Sequence, residues 1–96
     1  MSVLDVENRR AIVDRRKVAE RLSSLKPGRK LTGDASALLR EVLAAGRAEI
    51  ARRLRAQPGH GRAAAQAHAF LHDQIVRLAH DFVCDRIVSE SLGDGL

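Results

Sequence analysis

The chain has very few aromatic residues and a single cysteine. Among its 96 residues, Phe70 and Phe82 are the only Phe, Trp or Tyr side chains. A core must therefore be built from Leu, Ile, Val and Ala, and a chain this short buries a limited share of its surface. Cys84 has no second cysteine for an intrachain disulfide. The absence of an intrachain disulfide is typical of proteins that work in a reducing compartment.

Long apolar runs are also missing. A membrane-spanning helix needs about 20 predominantly apolar residues, and no stretch of this sequence provides them. The first ten residues lack the apolar core of a secretory signal. We therefore expect a cytoplasmic protein with no membrane partner. Period-two runs of β-branched residues, which indicate strands, are absent as well, whereas Ala, Arg and Leu, which favour helices, are abundant.

Charge is distributed unevenly along the chain. The net charge is +5, with +8 over residues 1–62 and −3 over residues 63–96. This asymmetry indicates either an acidic partner for the basic part or contact between the two parts. The pattern alone leaves both interpretations open.

The first helix is predicted to begin at Asp14, after a flexible lead-in over 1–13. The Asp14 carboxylate can accept hydrogen bonds from the first turn. Val13 and Val18 have the spacing of a hydrophobic staple across that start. Pro27 ends the helix, because proline disfavours the helical conformation in the residue before it.

Two longer helices are predicted to follow. The second is capped by Asp34 and reaches about Gln57, and the third runs from about residue 62 to about residue 89 after a turn at Pro58-Gly59.

Gly46 interrupts the apolar stripe of the second helix, so we expect another helix to approach closely there. Glu49 and Arg53 are spaced for an ion pair. Apolar stripes at three- and four-residue steps are Leu39, Leu43, Gly46, Ile50 and Leu54 on the second helix, and Ala64, His68, Leu71, Ile75, Leu78 and Phe82 on the third.

These elements predict an all-α fold. The two long helices should form a long antiparallel helical hairpin, with one short N-terminal helix packed across it. The helical domain then covers 14–90, and 91–96 forms a frayed tail. Cys84 falls beside the seam of the third helix, where a buried thiol is the usual case.

His68 and His72 are the candidate metal ligands. Their four-residue spacing places both imidazoles on one helical face, but Ala69 stands where the zinc-protease pattern requires glutamate. Asp73 lies off to the side, so a third ligand is not at hand. We predict instead that His68 lies in the packing seam and His72 at its margin, with no metal site.

Other catalytic patterns are incomplete. The dipeptides His72-Asp73 and His80-Asp81 are of the kind used by HD-class phosphohydrolases, but neighbouring side chains diverge by about 100° on a helix. Asp81 and Asp85 supply only two carboxylates, fewer than a Mg²⁺ cage requires. No glycine-rich phosphate loop and no serine with an acid–base partner is present. We therefore assign no catalytic and no cofactor-binding residue.

Clusters of basic residues suggest a different function, binding to nucleic acid. They are Arg9, Arg10, Arg15, Arg16 and Lys17, then Lys26, Arg29 and Lys30, then Arg52, Arg53 and Arg55. Such clusters neutralise phosphates. However, no aromatic residues are interleaved for base stacking, and the helices are too long for a helix-turn-helix unit. These features disfavour nucleic acid, and a small basic helical protein that binds an acidic partner or RNA remains the alternative.

Three stretches together resemble a known family. They are RAIVDRR at 10–16, GRAEIARRL at 46–54 and AHAFLHDQIVRLAHD at 67–81. In this order and spacing they are similar to the N-terminal helical region of the bacterial bifunctional protein-PII uridylyltransferase/uridylyl-removing enzyme. The resemblance covers about residues 9–88.

The resemblance implies that a full-length protein transfers UMP from UTP to the nitrogen-signalling PII protein with Mg²⁺, and that a later HD domain removes it. The transferase motifs of that family, Gly-Gly-x-Gly-Arg-Gly-Glu and Ser-Asp-x-Asp, do not occur in this sequence. We therefore expect a fragment that lacks the catalytic motifs. We also expect the seam of the third helix to dock on a missing downstream catalytic domain, and the isolated chain to self-associate.

Overall fold

The computed structural model describes residues 8–88, which are mainly helical and contain no strand. The elements are α1 (Arg9–Ile12), α2 (Arg15–Ser23), α3 (Leu31–Ala56), α4 (Gly61–Phe82) and a π-helical segment (Val83–Val88) that continues α4. The predicted all-α fold is confirmed. The predicted tail at 91–96 lies outside the described residues.

Helix α2 begins where the sequence predicts. Asp14 is its N-cap, and the Asp14 carboxylate accepts a hydrogen bond of 3.3 Å from the backbone N–H of Lys17. Val13 and Val18, the predicted staple pair, are both buried. Because the cap and the staple are local features, their sequence pattern was sufficient to locate this helix start.

The segment before α2 differs from the predicted flexible lead-in. Its described part contains α1, and both Ile12 and Val13 are buried in the core. The backbone of Ile12 lies beside Gly46 of α3, where a Cβ atom would be 3.0 Å from the Ile12 carbonyl oxygen. Burial of two apolar side chains against α3 therefore orders this short stretch, although four residues have little helical stability of their own.

The predicted start of the second long helix is wrong by four residues, because its N-cap is Lys30 and not Asp34. Helix α3 begins at Leu31, and Asp34 lies within its first turn, where its backbone N–H donates to the carbonyl of Lys30 at 2.8 Å. Leu31 and Ala35 are each only 2% exposed. Extending the helix backwards buries Leu31, and the Asp34 carboxylate still complements the positive end of the helix dipole.

Helices α3 and α4 form the predicted antiparallel hairpin. Ile50, near the end of α3, lines a cavity together with Ala67, near the start of α4. Ala35, near the start of α3, lines a different cavity together with Phe82, at the end of α4. At the middle of the hairpin, a Cβ at Gly46 would lie 2.7 and 2.9 Å from the two Cδ atoms of Leu71. The predicted close approach at Gly46 is therefore confirmed.

Helix α4 buries a broader face than the predicted seam. Leu71, Leu78 and Phe82 are buried as predicted, but Ala67 and Phe70 are buried as well. The reason is that α4 packs against α3 and also against α2. Because α4 has two neighbouring helices, its buried surface is wider than the single apolar stripe that one neighbour would require.

The π-helical segment connects back to α2 through Arg86. Its guanidinium donates to the carbonyl oxygens of Leu22 at 3.1 Å, Ser23 at 3.2 Å and Leu25 at 3.0 Å. The last carbonyls of a helix have no partner within the helix, and a basic side chain both satisfies them and complements the negative helix end. Arg86 thus fixes the end of α2 against the end of the hairpin.

Candidate docking surface

An open apolar groove runs between α3 and α4. It has a volume of about 310 Å³. Its lining residues are Thr32, Ala35, Ser36, Leu39, Arg40 and Leu43 of α3, and Ile75, Ala79, Phe82 and Val83 of the other wall. Two of the lining residues are small alanines, and Leu39, Leu43 and Ile75 are only partly buried. An apolar groove of this kind is typical of a surface that binds another protein segment.

The groove stays open because the short helices cover a different part of the hairpin. Helices α1 and α2 both contact α3 and α4, yet no residue of either helix lines the groove. Within residues 8–88, nothing covers it. The hairpin therefore presents one apolar face inward, toward α1 and α2, and a second one outward.

Two valines extend this apolar surface beyond the groove. Val83, which lines it, is 46% exposed, and Val76 is 66% exposed. The two are seven residues apart, close to two full helical turns, so they lie on the same side of the helix. We missed both in the sequence because the predicted seam included only the residues that pack within the hairpin. An apolar repeat at i and i+7 beside that seam was the available signal.

The predicted docking seam of the third helix is not available as a whole. Leu71, Leu78 and Phe82 are buried within the chain itself, so they cannot also cover a partner. Ile75 is the half-buried seam residue at the open groove, and Phe82, although only 7% exposed, also lines it. The structure thus moves the candidate docking surface from the seam to the groove and to its valine edge.

A second cavity, of about 620 Å³, lies at the turn between α3 and α4 and is bordered by an arginine cluster. Glu49 accepts from Arg53 Nε at 2.7 Å, as predicted, and also from Arg52 Nη2 at 2.8 Å. Hydrogen bonds from Arg52, and then from Arg53, lower the pKa of Glu49 to about 2. Arg53 Nη2 also donates to the backbone oxygen of Asn8 at 2.8 Å. This cluster therefore links α1 to α3.

The histidine candidates are not brought together with other ligands. His68 is half-buried and His72 is exposed. In the described range, no group of three His, Cys, Asp or Glu side chains is placed to hold a metal ion. His68 and His72 therefore have no third ligand within this part of the chain.

The remaining acid and thiol candidates lie on the outer surface of α4 and of the π-helical segment that follows it. Asp73 pairs with Arg77 at 3.0 Å, and His80 Nδ1 lies 3.7 Å from Asp81 Oδ1. The prediction of a buried Cys84 is wrong, because the thiol is exposed, with its Sγ 3.8 Å from His80 Nε2. Phe82 is the last buried residue of α4, and Cys84 lies beyond it in the π-helical segment, on the exposed side.

Comparisons with known proteins identify what the chain is similar to. A bifunctional uridylyltransferase/uridylyl-removing enzyme of Novosphingobium aromaticivorans is 43% identical over 88 residues, which are 90% of this chain and 10% of that protein. An enzyme with the same description from Erythrobacter litoralis is 40% identical over 80 residues, or 81% of this chain and 9% of that protein. The chain is similar to a segment of these enzymes. The resemblance predicted from the three sequence stretches is thereby confirmed.

The matched region covers most of this chain but only a small part of each relative. The chain spans about a tenth of the length of the curated relatives it matches. No family model matches it, and no solved structure matches it significantly. No helix in the described part of the chain is long and apolar enough to cross a membrane.

Proposed function

We propose that this chain is a non-catalytic helical segment of a protein similar to the uridylyltransferase/uridylyl-removing enzymes, and that its role is to pack against the remainder of that protein. The observation that carries this proposal is the 43% identity over 90% of the chain and only 10% of the relative. Nearly the whole chain matches its relatives but covers only about a tenth of their length. The other nine tenths of such a protein would be available for this segment to pack against.

The chemistry of the chain supports a packing role. The transferase motifs that the resemblance leads one to expect are absent from the sequence. The acidic side chains of Glu41, Glu49 and Asp73 form ion pairs with arginines of the same chain. The groove between α3 and α4 is open and lined mainly by apolar side chains, which suits packing and not the binding of a charged substrate.

The activity proposed for the whole protein follows the family. It would transfer UMP from UTP to a PII protein and remove it again, as part of nitrogen regulation in the cytoplasm. The transferase chemistry and its Mg²⁺ would lie in the part of the protein outside these 96 residues. The segment itself would contribute stability and the correct placement of its neighbours.

The test is to divide the Novosphingobium aromaticivorans relative at the matched segment. The protein lacking its matched 88 residues is purified, and the transfer of labelled UMP from UTP to a PII protein is measured with and without the 96-residue chain. We expect activity or solubility to fall on deletion and to recover when the chain is added. The relative's own 88-residue segment, added in the same way, is the matched control. Full activity and unchanged thermal stability after deletion would contradict the proposal.

The alternative function, binding of an acidic partner or RNA, is supported by one observation. Arg9, Arg10, Arg15 and Lys17 are all exposed, and none forms an ion pair with a described residue. A protein that neutralises six or more phosphates loses about a thousandfold in affinity between 50 and 200 mM salt. Fluorescence anisotropy with a labelled single-stranded RNA at these two salt concentrations decides the point. We expect no saturable binding at 200 mM salt, and tight saturable binding there would favour the alternative.

A further inference from the structure

The shape of the groove between α3 and α4 fits a third helix. Its two walls are antiparallel helices, and its lining combines the small side chains of Ala35 and Ala79 with larger apolar ones. A helix laid along two neighbours places its apolar ridge between them at an interaxial distance of about 8–10 Å. An extended strand would need an unpaired sheet edge to bind, and the described residues contain no strand.

The edge of the groove on α4 carries apolar side chains with no cover. Val76 and Val83 are 66% and 46% exposed. Their spacing of seven residues places them about 10.5 Å apart along the helix. An apolar stripe with residues at i, i+3, i+4 and i+7 on an incoming helix would cover the groove and both valines.

The edge of the groove on α3 carries unpaired positive charge. Arg40 lines the groove and donates to Ser36 Oγ at 3.2 Å. Arg47 follows seven residues later, on the same side of α3. Neither lies within ion-pair distance of a carboxylate of the described residues, whereas Arg21, Arg53 and Arg77 on other faces each do. An occupant of the groove would therefore satisfy this edge with carboxylates.

We propose that the groove binds an amphipathic helix from the remaining part of the same protein, with an apolar stripe toward Leu43, Ile75 and Val83, and with carboxylates about two turns apart that pair with Arg40 and Arg47. The relatives are about ten times as long as this chain, which supplies the polypeptide for such a helix. This inference rests on the proposed function and adds to it the surface and the chemistry of the partner.

The first experiment tests the valine edge of the groove. The probe is the Novosphingobium aromaticivorans relative without its matched 88 residues, titrated calorimetrically with the 96-residue chain. Val76→Asp and Val83→Asp change side chains that are already exposed, so the fold is kept. Each should weaken binding at least tenfold. Ala48→Asp, at an exposed α3 position that does not border the groove, is the matched control and should change binding less than twofold.

The second experiment tests the charged edge. Arg40→Glu and Arg47→Glu reverse the two charges, while Arg55→Glu reverses an exposed α3 charge outside the groove. Exposed ion pairs contribute little individually, so we expect about a fivefold loss of affinity for each groove variant. That loss should shrink as salt is raised from 50 to 500 mM, because salt screens exposed charges. Arg55→Glu should bind like the unmodified chain. Circular dichroism of every variant confirms that the helices are intact.

The outcomes separate the inference from the proposed function. If the unmodified chain does not bind the divided relative, the proposed function fails. If the chain binds and all groove variants bind equally well, the function stands and the groove inference is overturned. If ultracentrifugation instead shows a dimer of the chain that Val83→Asp dissociates, the groove belongs to a second copy, which also overturns the inference. Weaker binding confined to the groove variants supports it.

Discussion

Adding one methyl group at position 46 tests how closely the two long helices approach. A Cβ at Gly46 would lie 2.7 and 2.9 Å from the Cδ atoms of Leu71 and 3.0 Å from the carbonyl oxygen of Ile12. Leu71 is fully buried, so its side chain has no open space to move into. The contact at Ile12 involves a backbone oxygen, which can move even less than the Leu71 side chain.

Two effects of opposite sign determine the stability of Gly46→Ala. Replacing glycine by alanine within a helix stabilises it by about 1 kcal/mol. Overpacking a well-filled core costs about 1–3 kcal/mol. We therefore expect a net loss of about 1 kcal/mol in the free energy of unfolding. Gly33→Ala is the matched control, because Gly33 also lies in α3 and a Cβ there meets nothing within 4 Å. It should raise stability by about 0.5 kcal/mol.

Urea unfolding, followed by circular dichroism at 222 nm, measures both variants without needing an aromatic reporter. Leu71→Val, which removes both Cδ atoms, completes a double-mutant cycle with Gly46→Ala. The pair should be less destabilised than the sum of the single changes, because the contact that causes the strain is gone. If Gly46→Ala stabilised the chain as much as Gly33→Ala, the close approach at this position would be refuted.

Three further predictions follow from the polar contacts and exposures of the described residues. Arginine hydrogen bonds lower the pKa of Glu49 to about 2. The contribution of the Glu49 carboxylate to stability is therefore complete above about pH 4.5 and is lost as the pH falls toward 2. Glu49→Gln should flatten the fall in melting temperature between about pH 4.5 and about pH 2. Arg86→Met removes three hydrogen bonds to α2 and should lower the unfolding free energy by about 1–2 kcal/mol, with Arg86→Lys intermediate by the same urea assay. Cys84 is exposed, so a thiol reagent should label it fully in the folded protein, and labelling only after addition of urea would contradict its placement.

Features set by neighbouring residues in the chain could be predicted from the sequence. The Asp14 cap, the ion pair of Glu49 with Arg53 and the antiparallel hairpin all follow from spacing along a helix. The close approach at Gly46 was also predictable, because a glycine within an apolar stripe lowers helix propensity without another evident reason. Each of these features depends on residues within one helix or two neighbouring helices.

Features set by packing between distant elements could not be predicted in this way. Helix α3 starts at Leu31 because the core buries that side chain, and no capping signal marks the position. Ile12 is ordered by contact with Gly46, over thirty residues later. The outward apolar groove was missed for the same reason, since a helical stripe does not show which neighbour covers it.

The contact between Arg86 and α2 has a consequence for the order in which the chain can be assembled. Its hydrogen bonds join residues 61 to 64 positions apart, whereas the α3–α4 hairpin is closed by a short turn between Ala56 and Gly61. During synthesis from the N-terminus, α2 leaves the ribosome first but gains the arginine at its C-terminal end only after the whole hairpin has been made. The hydrogen bonds from Arg86 to the C-terminal end of α2 can therefore form only after the π-helical segment that continues α4 has been synthesised.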